Sequence, residues 1–598
     1  TPLLASFALT VLLARVLEPG VKLAVHAARR GPSSLLVALL TLYRAPRRTA
    51  GIVGFLAVSI GLAAFALSYR ATLATSSAQS AAYDVPLDYT LTAGPALVAP
   101  QDVATLQRYR SLAGGVGAWP ILRQTAEVAE SGATPATPDV IGVPAPALKL
   151  IHGWRSDFSP DSPATLARLV SPTYSVRLAG ARIPGHATRL DLRARATGAA
   201  VQLVLVVLTR AGGADQLRPP LATSRTRLLG IAVPAADRGG RLIAIQLELP
   251  SAEQRSAAHQ AAEGRNAPSG FGGILQLGPL AATVADGRRV TVSSFASWIG
   301  RNGVAPRAHG DGERIRFDIT TSEQAIFRPR QPFDTRRLPV IASPDVASSA
   351  GPGGSLELNF GDQVVQARLV AVAKRFPTTQ DNGESFVIAD EASLAAALGA
   401  NDLPTAIPGE LWLSTPPATT SGVGAALQAS PFSSLAISSR AAIAIGLRDA
   451  PLARGIVISL LAAAAVALVL ALVGLALATV GFVRDEGDAL FDLESQGLGP
   501  RSLRASLRWR ALGLAALGLP AGVALGIGMV AVVGRLLALD ATLAIPDPPL
   551  ERVTPWATIG ASACVFALLA VALVELVLRV AYRAGSAGRG TTGESWAA

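Results

Sequence analysis

The chain has 598 residues, of which half are apolar and only 16% are charged, and its mean hydropathy is positive at +0.41. That balance excludes an ordinary water-soluble globular protein, which carries more charge. The formal charge of +12 and the single cysteine, Cys564, exclude an acidic tail protein and a disulfide scaffold.

Taken in chain order, the first apolar run covers residues 1–17. It is short for a span, begins without Met and lacks the basic lead and cleavage site of a signal peptide. We expect a linking span, cut short, with native sequence upstream. Residues 18–49 form a basic connector, with Lys22, Arg29, Arg30, Arg44, Arg47 and Arg48 against Glu18 alone. Its leucines at 35, 36, 39, 40 and 42 make an apolar face suited to a membrane interface.

Four longer runs follow: Gly51–Ser68, Gly455–Val483, Leu512–Val533 and Trp556–Val577. Crossing the hydrocarbon layer takes about 20 residues at about 1.5 Å each, so all four qualify as spans. The expected boundaries are 50–69, 454–483, 511–535 and 556–578. Basic residues mark the short loops around them. Segment 484–510 holds Arg484, Arg501, Arg504, Arg508 and Arg510, and the tail 579–598 holds Arg579, Arg583 and Arg589. Loop 536–555 has only Arg552 against Asp540, Asp547 and Glu551. The positive-inside rule then places 18–49, 484–510 and the tail in the cytoplasm and 536–555 outside. Residues 70–453 are expected outside as well. The basic excess belongs to these loops, and no nucleic-acid partner is expected. Only three lysines accompany the arginines, which reads as the coding bias of a GC-rich genome.

The large segment changes character twice. Residues 70–180 are mixed: Tyr89–Leu91 and Val140–Val143 predict strands, and Asp102–Tyr109 a helix with Leu106 inward. Residues 181–320 carry repeated period-2 runs: Arg189–Ala196, Val201–Leu208, Arg227–Val233, Arg241–Leu249, Gly273–Leu277, Arg289–Ser293 and Arg314–Ile319. Alternation of this kind marks half-buried strands, and seven or eight of them predict an inserted β-sandwich of jelly-roll type. Gln254–Ser269 reads as an exposed loop. Residues 321–453 return to a mixed pattern, with strands at Leu338–Ala342, Phe386–Asp390 and Glu410–Leu413, a short helix at Ala392–Leu398, and a hairpin over 355–370 turning at Phe360-Gly-Asp362. The expected fold class is therefore an α-helical membrane protein with a large extracytoplasmic α/β domain, in two parts (70–180 and 321–453), carrying the sandwich as an insert.

Two local patterns resemble the FtsX-like permease family, which includes MacB- and LolCE-type ABC transporter subunits. One is Leu39-Leu-Thr-Leu-Tyr-Arg-Ala-Pro-Arg-Arg-Thr-Ala-Gly-Ile-Val53, a basic stretch running into the first core span. The other is the segment 488–503, in which Leu493, Gly497 and Arg501 match the family's leucine–glycine–basic pattern after the second core span. Glu494 and Gln496 depart from it. The resemblance covers roughly residues 40–590. It implies a MacB-like periplasmic core formed by 84–180 and 335–450, a coupling helix over 484–510 that sits on a cytoplasmic ABC ATPase dimer, and a second permease core upstream in the same chain. Leu490, Leu493, Gly497 and Arg501 are the expected coupling residues. The acids of this stretch lie early and most of its arginines late, as a helix dipole favours. An amphipathic helix lying on the membrane is the alternative.

Chemistry-bearing motifs are sparse. No Gly-x-x-x-x-Gly-Lys-[Ser/Thr] occurs, so ATP hydrolysis would reside in a partner. His26, His152, His186, His259 and His309 are scattered with no i, i+4 pair. Asp311-Gly-Glu313 reads as a turn rather than a calcium loop. Asp157 and Asp161 near Trp154 read as loop acids rather than a sugar site. No cofactor or metal is expected. Gly518, Gly522 and Gly526 form two overlapping Gly-x-x-x-Gly steps for close helix packing, beside a Pro520 expected to kink the helix. Glu575 and Arg535 lie near span ends, as snorkelling charges or relay groups. The functional expectation is a non-catalytic permease subunit that contacts membrane lipids and exports a lipid, lipoprotein or peptide, or only transmits force. A membrane-anchored sensor or carbohydrate-binding surface protein is the rival reading.

Overall fold

A computed structural model describes residues 26, 33–44, 46–94, 99–112, 115–128, 136–174, 176–210, 213–250, 272–309, 312–319, 325–361, 363–379, 385–400, 406–485, 500–536 and 548–589. The chain divides into two compact units. One comprises the chain up to Ala81 and from Ala441 onward; the other is Ala82–Arg440.

The first unit is helical. Four helices are long and apolar enough to cross a membrane: Arg48–Asp84, Pro451–Arg484, Arg504–Val532 and Trp556–Val580. Each buries one face in a common core. Val53, Leu56 and Ile60 meet Ala471, Leu475 and Phe482, then Leu507, Ala511 and Leu514, then Phe566, Ala570, Val574 and Leu578. These residues recur every three or four positions, the repeat of a single helix face. The outward faces are apolar too. Val466, Val469, Leu470, Val473 and Leu477 of the second helix and Leu568, Leu569 and Leu576 of the fourth are exposed. Faces this large and oily need a lipid solvent. The connector leucines do more than face an interface: in the helix Ser33–Arg44, Leu42 is fully buried in the bundle core and Leu39 packs against it.

The second unit contains an α/β layer and a β-sandwich. The layer is a ten-stranded sheet in the order Ala436–Ser439, Tyr89–Thr92, Glu410–Ser414, Gly117–Thr125, Asp139–Gly142, Phe386–Ala389, Leu338–Ala342, Gln363–Val372, Ser355–Phe360, Glu127–Val128. Among the described strands, only the pairs 139–142 with 386–389 and 338–342 with 363–372 are parallel. Neighbouring residues enter opposite cores. Ile121, Ile141, Ile341 and Ile388 face Leu148, Leu166 and Val170. Leu122, Val140, Val340 and Val387 face Val346, Leu394 and Leu398. Helices thus cover both faces, which is why these strands read as continuous apolar runs. The expected helix at 102–109 is shorter, a 3-10 turn at Pro100–Asp102 and a helix at Leu106–Arg110. Tyr109 is its fully buried residue, and Leu106 packs partly buried against the same core.

The sandwich joins two antiparallel sheets, one of six strands and one of seven, more than the eight of a simple jelly roll. Leu190, Leu192, Leu275, Ile315 and Phe317 from one sheet pack on Leu203, Leu205, Val207, Ile245 and Phe327 from the other. Strand Gln202–Leu208 pairs with Arg241–Glu248, not with the 355–372 hairpin, which belongs to the α/β sheet. The insert runs past residue 320, because strand Ala325–Pro329 pairs with Arg241–Glu248 and Trp298–Arg301 in the six-stranded sheet. The alternation over 189–196 places Leu190, Leu192, Ala194 and Ala196 in the core. Asp191 is buried on the other face, held by Arg189 at 2.7 Å and the Thr283 hydroxyl at 2.9 Å. The loop Gln254–Ser269 lies outside the described residues.

Candidate functional site

The close approach of the first and third long helices is set by glycines. A Cβ on Gly518 would lie 2.8 Å from Leu56 Cβ. On Gly522 it would lie 2.6 Å from Ile60 Cβ and 2.9 Å from the Ala57 carbonyl oxygen, and on Gly526 2.6 Å from the Gly61 carbonyl oxygen and 2.7 Å from Ala64 Cβ. Gly61 answers from the other helix, where a Cβ would meet Leu525 Cδ2 at 3.0 Å. One backbone therefore lies directly on another along two helical turns, as small-residue spacing permits. The third helix runs on through Pro520, where the missing N–H removes one intrahelical bond.

Charged and aromatic groups organise one end of this bundle. The Arg510 guanidinium sits 4.0 Å from the centre of the Phe482 ring, and Arg48 approaches the same ring at 5.6 Å. Three helices meet there through cation–π contacts. Arg510 is buried. A side chain at Gly481 would strike Arg48 Nη2 at 2.8 Å. Arg508 pairs with Glu575, tying the third helix to the fourth. The Thr49 hydroxyl donates to the Leu42 carbonyl at 3.0 Å, fixing the turn between the connector helix and the first long helix. At the other end, Gln79 Nε2 donates to Glu551 Oε2 at 2.7 Å and the Val553 N–H donates to the Thr72 hydroxyl at 3.2 Å.

The second helix ends at Asp485 and the third begins at Pro500. Asp485 follows three residues after Phe482 of the Arg48–Phe482–Arg510 cluster. Leu490, Leu493 and Gly497 lie outside the described residues; Arg501 is in the first turn of the third helix. Glu575 has a partner in Arg508, a pairing that loop counting hid because it treated Arg508 as one more surface charge. The lone acid within an apolar run was the available signal. Phe482 carried no signal beyond being a large ring at a span end.

In the second unit Trp154, Asp157 and His152 are engaged with neighbouring side chains. Trp154 stacks edge-on to Phe158 and Phe376 and donates to the Asp161 carbonyl at 3.2 Å, while Asp157 pairs with Arg155. Asp88 accepts from the Thr415 N–H at 2.7 Å and from Arg440 at 2.7 Å. Burial pushes its carboxyl up, and these bonds outweigh burial and hold it below the ordinary range. His152, 3.9 Å from Asp88, is pushed down by burial and then by Arg440. Among the described residues no three His, Cys, Asp or Glu side chains converge as metal ligands. Neither a protein-family model nor a curated protein matches this chain.

Proposed function

We propose that this chain is a permease-type membrane subunit of an ABC-like complex. Its bundle passes movement between a cytoplasmic ATPase dimer, seated on residues 484–510, and the large unit on the opposite side of the membrane. The observation that carries this reading is the glycine-lined contact between the first and third helices, together with the Arg48–Phe482–Arg510 cluster close in sequence to the end of the second helix at Asp485. A tight helix pair moves as one body, and packed interfaces have discrete arrangements rather than continuous ones. The helices that lead into and out of the large unit, Pro46–Asp84 and Pro451–Asp485, have 39 and 35 residues. At about 1.5 Å per residue both exceed the roughly 30 Å hydrocarbon layer. The basic loops favour the large unit outside, and the two-sided α/β sheet is the candidate for a MacB-like core. The substrate class stays as the resemblance implies, a lipid, lipoprotein or peptide, or force alone.

The test is at Leu493. Burying a leucine in a partner groove contributes about 1.5–3 kcal/mol, and an unpaired carboxylate there costs more. Leu493→Asp is expected to abolish co-purification of an ATPase subunit and coupled ATP hydrolysis, while Leu493→Met leaves both intact. Full association of Leu493→Asp would leave the membrane-surface reading of 484–510 in its place.

A further inference from the structure

A cavity of about 280 Å³ lies where the sandwich meets the α/β layer. Its walls come from four parts of the chain. Tyr174 precedes the sandwich, Arg301 belongs to it, Phe333 and Arg336 lie in and just after the 3-10 turn Pro332–Thr335 that follows it, and Gln363 and Ser393 belong to the α/β layer. The two sandwich linkers are clamped together: Gln331 accepts from the Ala179 N–H at 2.7 Å and donates to its carbonyl at 3.0 Å.

The charge here is unbalanced. Arg301, Arg328 and Arg336 line the cavity, with Asp334 the one acid among its described lining residues. Asp334 is engaged by Arg328 through two bonds of 2.8 and 2.7 Å, with Arg301 only at 3.4 Å. Arg336 lies 5.3 Å from the centre of the Tyr174 ring. Two polar atoms are also left over. Gln363 is 6% exposed, and its Oε1 has no hydrogen-bond partner among the described residues. The Tyr174 hydroxyl lies beside Ser393 without a well-formed bond, and the Ser393 hydroxyl is already given to Asp390 at 3.0 Å.

A buried acceptor without a donor is costly, and arginines in excess ask for an oxyanion. We propose that this cavity binds a small hydroxylated anion of the class of acidic sugars and sugar phosphates. Its carboxylate or phosphate meets Arg301 and Arg336, a hydroxyl donates to Gln363 Oε1, and the ring lies along Phe333. The volume suits one such unit and lies just below the roughly 300–1,000 Å³ typical of ligand pockets. The proposal is independent of the permease reading.

The experiment is calorimetric titration of the full chain in detergent with glucuronate, glucose 6-phosphate and glucose. At least one of the two anions is expected to bind at least about tenfold more tightly than glucose, and which one distinguishes carboxylate from phosphate. Arg336→Gln and Arg301→Gln should each weaken it about tenfold or more. Gln363→Leu should weaken binding while holding or raising the unliganded melting temperature, which a purely structural role for Gln363 would not produce. No saturable binding of either anion below about 10 mM, equal binding of glucose, or unchanged affinity in the three variants would each overturn the proposal.

Discussion

Gly522→Ala is the sharpest test of the helix pair. The new methyl carbon would sit 2.6 Å from Ile60 Cβ and 2.9 Å from the Ala57 carbonyl oxygen. Carbon atoms prefer about 3.5–4.0 Å, so the helices must part by up to about 1 Å. A gap of about 0.5–1 Å forfeits roughly a quarter to a half of each contact it opens, and Leu56, Ile60, Leu514 and Ala511 share that core. Overpacking of this kind costs about 1–3 kcal/mol. Ala gains about 1 kcal/mol over Gly in helix propensity, so the comparison must cancel that term. Gly560 provides the control, since nothing lies within 4 Å of a Cβ there. Gly560→Ala is expected to be neutral or stabilising, and Gly522→Ala less stable than Gly560→Ala by about 1–3 kcal/mol. Gly526→Ala should behave like Gly522→Ala. The assay is thermal or SDS-induced unfolding of the purified chain in one detergent. If Gly522→Ala and Gly560→Ala unfold together, the helices are not in backbone contact and the reasoning fails.

At the bundle end, Phe482→Leu removes the ring shared by Arg48 and Arg510 and should cost about 1–3 kcal/mol, whereas Phe482→Tyr keeps the ring; equal unfolding midpoints for the two would remove the cation–π account. In the second unit, burial and then the neighbouring Asp390 push the Glu391 carboxyl up to about 7. The folded state therefore holds a proton that the unfolded chain releases from about pH 4.5, and stability falls as pH rises from there to about 7. Glu391→Gln should flatten that fall and gain most on the wild type above pH 7; parallel melting profiles would contradict it. For sidedness, Ser256→Cys in a Cys564→Ala background should react with an impermeant maleimide on intact cells. Labelling only after lysis reverses the proposed orientation.

Composition and periodicity alone determined the apolar helices, because a lipid solvent demands an uninterrupted run of about 20 residues that nothing else in a chain requires. They also determined the sandwich strands, since Leu190, Leu192, Ala194 and Ala196 alternate with polar neighbours only if one face is buried. The glycine steps at 518, 522 and 526 were legible as a packing surface, because a missing Cβ has one common use between helices. The partner of that surface was not legible. That Leu56, Ile60 and Ala64 receive it depends on how the helices are ordered around the bundle, which no single helix encodes. The strands at Trp298–Arg301 and Ala325–Pro329 were hidden for a similar reason. They are short, their runs are irregular, and their place in the six-stranded sheet comes from pairing with distant chain. The Arg48–Phe482–Arg510 cluster, the Arg508–Glu575 pair and the Arg301–Arg336–Gln363 cavity each gather residues far apart in sequence. Distance along the chain carries no information about such convergence, so the tertiary structure alone decided it.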